Sequence, residues 1–176
     1  MQRPQSNEYF DYYGNYVRLV PDGDLFEIGK SQPGELRACL EFCTESQSEE
    51  LHPPYTWTVK QVIGHLIDTE RIFADRFHRF SCNDLQALPG FDQNEYVDNC
   101  NYQLPKLSDL LDEFESCRRA NLLLMQRVRP NAWANVGTAS GHPVTVRALA
   151  FMIVGHVIHH LQILQTRSKQ MRKQIE

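Results

Sequence analysis

The sequence contains 176 residues, of which 41% are hydrophobic and 23% are charged. This length and composition are typical of one globular domain and exclude the disordered class. The 18 lysines and arginines and the 22 acidic residues give a formal net charge of −4, which argues against a protein that binds nucleic acid or an anionic membrane. We therefore expect a single domain over residues 1–176.

The sequence shows no pattern typical of membrane insertion or secretion. Its longest apolar run, from Ala148 to Gly155, is far shorter than the roughly 18 residues that a membrane helix needs. The polar N-terminus lacks the apolar segment of a secretion signal. No CxxC pair occurs, so we expect the cysteines to be small buried side chains in a reducing, cytoplasmic compartment. They are Cys39, Cys43, Cys82, Cys100 and Cys117.

Residues 1–22 are polar and rich in tyrosine, and they end in a turn signal at Asp22-Gly23. We expect an irregular N-terminal arm that lies over the rest of the protein and is held by aromatic burial. The first helix is predicted to begin near Asp24, an acceptable N-cap, and to end between residues 44 and 50. Because Pro33 has no backbone N–H, this helix should be kinked or split there.

The second helix has the clearest start signal in the chain. Thr58 and Gln61 are spaced as a capping box, and Trp57 and Val62 are spaced as a hydrophobic staple. Its apolar pattern continues to about residue 81. The following residues, 82–106, are predicted to form a long loop, of a kind that is usually a functional lid or partly structured.

The third helix is predicted to begin at Ser108 and to stop before Pro130, and a second loop should follow with a turn at Ser140-Gly141. Thr145 is then expected to cap a last helix that ends near Arg167, before a basic tail over residues 168–176. Four amphipathic helices without a convincing strand pattern predict an all-α fold. The architecture we expect is an antiparallel four-helix bundle with long loops.

Three histidines occupy positions that should be buried. His156 and His160 are four residues apart on the last helix, in one stripe with Ile153 and Leu164, so their rings can converge on one cation. His65 lies in an apolar stripe of the second helix and can supply a third ligand. Each buried imidazole needs a partner, and one divalent cation satisfies all three. The alternative is a metal-free group of hydrogen-bonded histidines.

The remaining histidines give a weaker signal. His159 is rotated by about 100° from His160, so we expect it beside the site or half-exposed. His52, His78 and His142 are predicted to be structural or solvated, with His142 placed nearest to a pocket mouth.

A site made of three neutral histidines leaves the ion its full charge and an open position, as in catalytic sites. That position can hold water or a thiol, and a nearby group would then move protons. The sequence does not identify this group, and the carboxylates could equally form helix-surface ion pairs. The candidates are Asp68, Thr69, Glu70, Asp92 and Glu95.

Several segments resemble the DinB superfamily, including its YfiT-like metal-dependent hydrolases. Residues 57–71 (WTVKQVIGHLIDTER) resemble the second helix of that family. Residues 141–148 (GHPVTVRA) and 155–161 (GHVIHHL) resemble the start and the metal-bearing part of its fourth helix. Residues 88–92 (LPGFD) are similar to one of its loops. The resemblance extends from about residue 14 to residue 167, although Pro33 departs from the uninterrupted first helix of the family.

The resemblance implies a four-helix bundle of up-up-down-down-like order, a homodimer, and a nickel or zinc site at His65, His156 and His160. Some relatives transfer a low-molecular-weight thiol such as bacillithiol or mycothiol to electrophiles, one branch isomerises maleylpyruvate, and others are called hydrolases. We therefore expect a metal-dependent enzyme that activates a thiol (S-transferase) or water (hydrolase) towards a small electrophile. The alternative is a non-catalytic, stress-related bundle that binds a metal or ligand.

Overall fold

The structure, a computed structural model, describes residues 1–172 of the chain. Its helices and strands are α1 (Gly14–Val17), α2 (Leu25–Cys39), α3 (Glu45–Glu49), α4 (Val59–Ser81), α5 (Gln93–Asn99), α6 (Leu107–Gln126), β1 (Val136–Ala139), β2 (His142–Thr145) and α7 (Val146–Arg172). Short 3-10 turns cover Ser6–Glu8, Asp11–Tyr13 and Pro130–Ala134. Residues 173–176 of the predicted basic tail lie outside the described residues.

The four long helices form a bundle in which α2 and α4 each pack against both α6 and α7. The predicted four-helix bundle is thus confirmed. Helices α4 and α7 are antiparallel, because the start of α4 meets the end of α7, where Arg167 donates to the carbonyl of Trp57 at 2.7 Å. Further along α4, Thr69 contacts His156, which lies earlier on α7 than Arg167 does.

Helices α4 and α6, in contrast, run parallel. Lys60 near the start of α4 donates to the carbonyl of Gln103, just before α6, and Glu70 accepts from Asn121 near the end of α6. The chain achieves this because residues 82–106 return from one end of the bundle to the other before α6 begins. Helix α2 is antiparallel to α6, because Gln32 contacts Arg118 whereas the later residue Arg37 contacts the earlier residue Asp112. The long helices α2, α4, α6 and α7 therefore run up, down, down and up, which corrects the up-up-down-down-like order.

The start of α4 follows the predicted capping box. The hydroxyl of Thr58 accepts from the backbone N–H of Gln61 at 3.1 Å, and the side chain of Gln61 accepts from the N–H of Thr58 at 2.8 Å. Helix α2 contains Pro33 without being split there, and it ends at Cys39, earlier than predicted. Thr44 begins a separate capped helix, α3, because its side chain offers the next N-cap.

The loop over residues 82–106 is partly structured, because it contains α5. Two local predictions are wrong. The loop after Pro130 contains a β-hairpin whose four-residue strands are too short to show a period of two. Its turn residues, Ser140 and Gly141, have φ values of 52° and 79°, as a tight two-residue hairpin turn requires. The cysteines are not buried: Cys82 and Cys100 are exposed, and the other three are half-buried.

The core consists of two apolar clusters with a polar layer between them. One cluster includes Phe77 and Leu149, and the other includes Ile63 and Phe114. Within the helices the clusters are separated by buried polar side chains, which are Gln32, His65, Thr69, Glu70, Arg118, Asn121, His156 and His160. The segment of α7 over residues 146–171 is long and apolar enough to cross a membrane. However, 67% of the 18-residue apolar window within it is buried inside the protein, as expected for a core helix.

Candidate metal centre

The structure brings the three predicted histidines together in the polar layer. The Nε2 atom of His156 lies 3.1 Å from the Nε2 atoms of both His65 and His160. One ligand atom from each residue lies within 4.8 Å of the other two. The antiparallel packing of α4 against α7 causes this convergence, since it places residue 65 opposite the turn that carries residues 156 and 160.

The nitrogen spacing suits one small cation. Two ligands at about 2.1 Å from an ion lie about 3.4 Å apart at a tetrahedral angle and about 3.0 Å apart at a right angle. The observed 3.1 Å separations fall between these values. Hydrogen bonds alone suit the arrangement less well, because the Nε2 of His156 has one lone pair for two neighbours. The chemistry of three imidazole donors fits a divalent cation.

Thr69 sets the orientation of the central ring. Its hydroxyl lies 2.9 Å and 3.0 Å from the carbonyl oxygens of His65 and Leu66, to which it can donate. The same oxygen lies 3.2 Å from Nδ1 of His156, so it can accept from an Nδ1–H group there. This pairing leaves the lone pair of Nε2 free to bind a cation, as hydrogen bonds around metal-ligating histidines commonly do.

Burial keeps the three histidines neutral. Their exposed fractions are 2% for His65, 4% for His156 and 9% for His160. Burial, with a smaller contribution from nearby His159, lowers the pKa of His65 to about 4. Burial and the neighbouring histidines also hold the pKa values of His156 and His160 well below the ordinary 6.5. Neutral imidazoles are the form that binds metal, so the rings need not lose a proton at pH 7.

A buried ion pair fixes the segment of α7 that carries His156. Arg118 pairs with Glu70, and its guanidinium also donates to the carbonyl of Ile153 at 3.1 Å. Gln32 donates to the carbonyl of Val154 at 2.8 Å. These bonds connect α2, α4 and α6 to the turn of α7 that precedes the site.

Two of the three histidines line a cavity of about 190 Å³. His65, Thr69 and His156 form one side of it. Tyrosines of the N-terminal arm and residues from α4 and the 82–106 segment form the rest, which are Tyr12, Tyr13, Tyr16, Phe73, Phe91 and Gln93. The sequence pattern did not indicate that the tyrosines of the arm belong to the site. Their clustering in residues 9–16 was the available signal, but it did not indicate which surface they cover.

The other histidines lie outside the cluster of three. His159 is half-buried beside it, with its ring 5.0 Å from that of His160 and 5.5 Å from that of Tyr16, as predicted. His52 accepts from Arg167. His142 stacks on Phe10 with ring centroids 3.7 Å apart. It lines a separate small pocket, as predicted, and not the cavity at the three histidines.

The carboxylates proposed as proton carriers lie elsewhere. Asp68 accepts from the hydroxyl of Tyr102, and burial raises the pKa of Asp68. Asp92 caps α5, and Glu95 is exposed on that helix. Glu70 is held by Arg118, so among the five candidates only Thr69 contacts a site histidine.

Comparisons with known proteins agree with this fold. No curated protein matches the chain. A solved structure of YfiT from Bacillus subtilis, described as a probable metal-dependent hydrolase with an unusual four-helix bundle topology, aligns with a TM-score of 0.77 over 97% of this chain and 93% of that chain. At 17% identity this likeness shows the fold alone. The DinB superfamily model matches residues 30–164, which is more than half of the chain. The chain therefore belongs to the DinB superfamily.

Proposed function

We propose that this protein is a metal-dependent enzyme in which His65, His156 and His160 hold one divalent cation, nickel or zinc. Its reaction is the transfer of a low-molecular-weight thiol to a small electrophile, with hydrolysis as the second candidate. The observation that carries the proposal is the convergence of three buried, neutral imidazoles, two of which line a cavity. The description of YfiT as a probable metal-dependent hydrolase supports a metal-dependent role.

When bound, the cation would act as a Lewis acid that lowers the pKa of a thiol or a water at its open position. The ligands come from two helices: His65 lies on α4, and His156 and His160 lie on α7. Thr69 holds the ring of His156 in position. Because all three ligands are neutral, the site would keep the full charge of the ion.

The lining of the cavity favours a thiol over water. A free thiol of the cysteine type has a pKa of about 8.5, whereas that of bulk water is about 15.7, so water depends far more on a general base. No carboxylate is among the described residues that line the cavity. The transfer itself needs no oxidant: the sulfur–carbon bond forms, the bond to the leaving group breaks, and the thiol proton passes to solvent.

The cytoplasmic location and the homodimer remain predictions. A cytoplasmic protein would have access to a pool of reduced low-molecular-weight thiols. Size-exclusion chromatography with light scattering would test the dimer, since a mass of one chain contradicts it.

Metal content tests the first part of the proposal. Untagged protein is titrated with nickel or zinc, and the bound metal is measured by elemental analysis after gel filtration. We expect about one ion per chain in the wild type and a large loss in H65N and H160N. The matched control is H78N, because His78 is exposed on the same helix as His65. Less than a tenth of an equivalent in the wild type would contradict the metal site.

The reaction is tested with monochlorobimane and bacillithiol, mycothiol, glutathione or cysteine. The thiol displaces chloride from the bimane, so the fluorescent conjugate reports the transfer. We expect metal-dependent conjugation with at least one thiol and its loss in H65N but not in H78N. Metal-dependent hydrolysis of an ester without conjugation would support the hydrolase instead. Metal binding without either reaction would support a non-catalytic binding protein.

A further inference from the structure

We propose that the N-terminal arm forms the substrate-selecting wall of the metal centre, and that the substrate it selects is a small uncharged molecule with an aromatic group. The specificity-determining residues are Tyr13 and Tyr16. This inference rests on the proposed function, since it assigns a substrate class to the same site.

The cavity has the size of one aromatic ring with a short substituent. Its volume is about 190 Å³, and an apolar protein cavity of about 150 Å³ is known to accommodate benzene. One side is formed by two of the three histidines and Thr69, so the substituent of a ring in the cavity would lie beside the metal centre, within reach of a thiol bound there.

The wall is aromatic and uncharged. Five aromatic side chains line the cavity together with one amide, that of Gln93, and none of its lining residues within the described part of the chain is acidic, lysine or arginine. Tyr16 meets His156 edge-on with ring centroids 5.1 Å apart, and Tyr13 meets Phe73 in the same way at 6.4 Å. Aromatic rings favour such edge contacts with a further ring. An anionic substituent would lose its hydration there without gaining a cationic partner.

The arm is fixed in this position from several sides. Arg3 donates to the carbonyls of Val17 and Val20, both at 2.6 Å. Glu8 forms an ion pair with Arg147 at the start of α7. These contacts hold the tyrosines of the arm against the cavity, so the wall is built before a ligand enters.

The arm also fits closely against α7 next to the site. A Cβ atom added to Gly155 would lie 2.1 Å from the backbone oxygen of Tyr16, so this approach requires glycine. The arm precedes residues 30–164, which match the superfamily. The helices thus supply the histidines, whereas a segment outside the matched range supplies the selecting wall.

The test uses nickel-loaded full-length protein and three hydroxamate chelators, with binding measured by isothermal titration calorimetry. Acetohydroxamate carries a methyl group where benzohydroxamate carries a phenyl group, and 4-carboxybenzohydroxamate adds a negative charge to the phenyl ring. After correction for their affinities for free nickel, we expect benzohydroxamate to bind at least tenfold more tightly than either of the others. In Y13A and Y16A the preference for the phenyl group should fall to less than threefold.

The controls separate the two proposals. Y13F and Y16F keep the rings and should keep the preference, whether or not the alanine variants fold well. Equal binding of acetohydroxamate and benzohydroxamate to the nickel-loaded wild type would overturn the inference, as would a preference that Y13A and Y16A leave unchanged. Failure of the wild type to bind nickel at all would instead overturn the proposed function.

Discussion

Replacing Thr69 by valine should weaken the binding of nickel or zinc without removing a ligand. Valine has nearly the shape of threonine but lacks the hydroxyl that lies 3.2 Å from Nδ1 of His156. In the variant the Nδ1–H group would be buried without an acceptor, and the ring would no longer be held in the orientation that directs Nε2 towards the ion. The three ligands themselves remain in place.

The expected magnitude follows from the role of the hydroxyl. Loss of a hydrogen-bond partner behind a metal ligand typically reduces metal affinity by about 10- to 100-fold, which corresponds to about 1.4–2.7 kcal/mol. A buried donor left without an acceptor costs about 1–3 kcal/mol, so the free energy of unfolding should fall by a similar amount. T69S retains the hydroxyl, so its metal affinity should stay within about threefold of the wild type.

The measurement is a competition titration between the protein and a fluorescent chelator for nickel and for zinc. Circular dichroism of the metal-free variants shows whether they are folded. A folded T69V protein with wild-type metal affinity would refute the assignment of Thr69 as the residue that positions His156. Equal losses in T69V and T69S would refute it as well, because the two variants differ in the hydroxyl.

Three further predictions concern stability. The metal-free protein should lose stability as the pH falls from 6.5 towards 4, because the site histidines have lowered pKa values when folded and an ordinary 6.5 when unfolded. The contribution of these histidines to the free energy of unfolding is fully present above pH 6.5. Below that pH its loss reaches about 1.4 kcal/mol per pH unit for each histidine. A free energy of unfolding by urea that is independent of pH in this range would contradict the prediction. R118M should lower the free energy of unfolding by about 3–5 kcal/mol, because it removes the ion-pair partner of the buried Glu70. The control R119M, at the exposed neighbouring position, should change the free energy of unfolding by less than about 0.5 kcal/mol. G155A should lower the free energy of unfolding by about 1–3 kcal/mol, because the added Cβ forces the backbone of Tyr16 away from α7. In G34A the added Cβ meets nothing within 4 Å, so this control should be neutral or stabilising. Thermal melts measure both variants.

The features that follow from local periodicity could be predicted from the sequence. The capping box at Thr58 depends on four consecutive residues, and the structure contains it as predicted. The spacing of His156 and His160 places both rings on one helix face whatever the rest of the fold does. Their meeting with His65 required one further assumption, that the second and last helices are neighbours. The antiparallel packing of α4 and α7 satisfies it.

The features that depend on contacts between distant segments could not be predicted. Nothing in the local sequence around Tyr13 or Tyr16 indicates that these rings cover the histidine cluster. The parallel course of α4 and α6 depends on where the 82–106 segment returns, and hydrophobic periodicity contains no information on direction. Asp68 follows His65 by less than one turn and was a reasonable proton carrier. Its side chain points instead to Tyr102, which comes from that returning segment.

The charges in the polar layer explain why a site without acidic ligands can exist in this core. Arg118 is a buried cation in the same layer as the histidines, and its charge contributes to the low pKa of His156. Glu70 pairs with Arg118, so this part of the layer has no net formal charge before an ion binds. A divalent cation held by three neutral rings would then be the dominant charge inside the bundle. A ligand that becomes an anion on binding offsets that charge, whereas a neutral ligand leaves it in a medium of low dielectric constant. Electrostatics thus support the proposed thiol, which ionises readily, over an uncharged molecule at the open position, and the proposed aromatic wall would select the electrophile that such a thiol attacks.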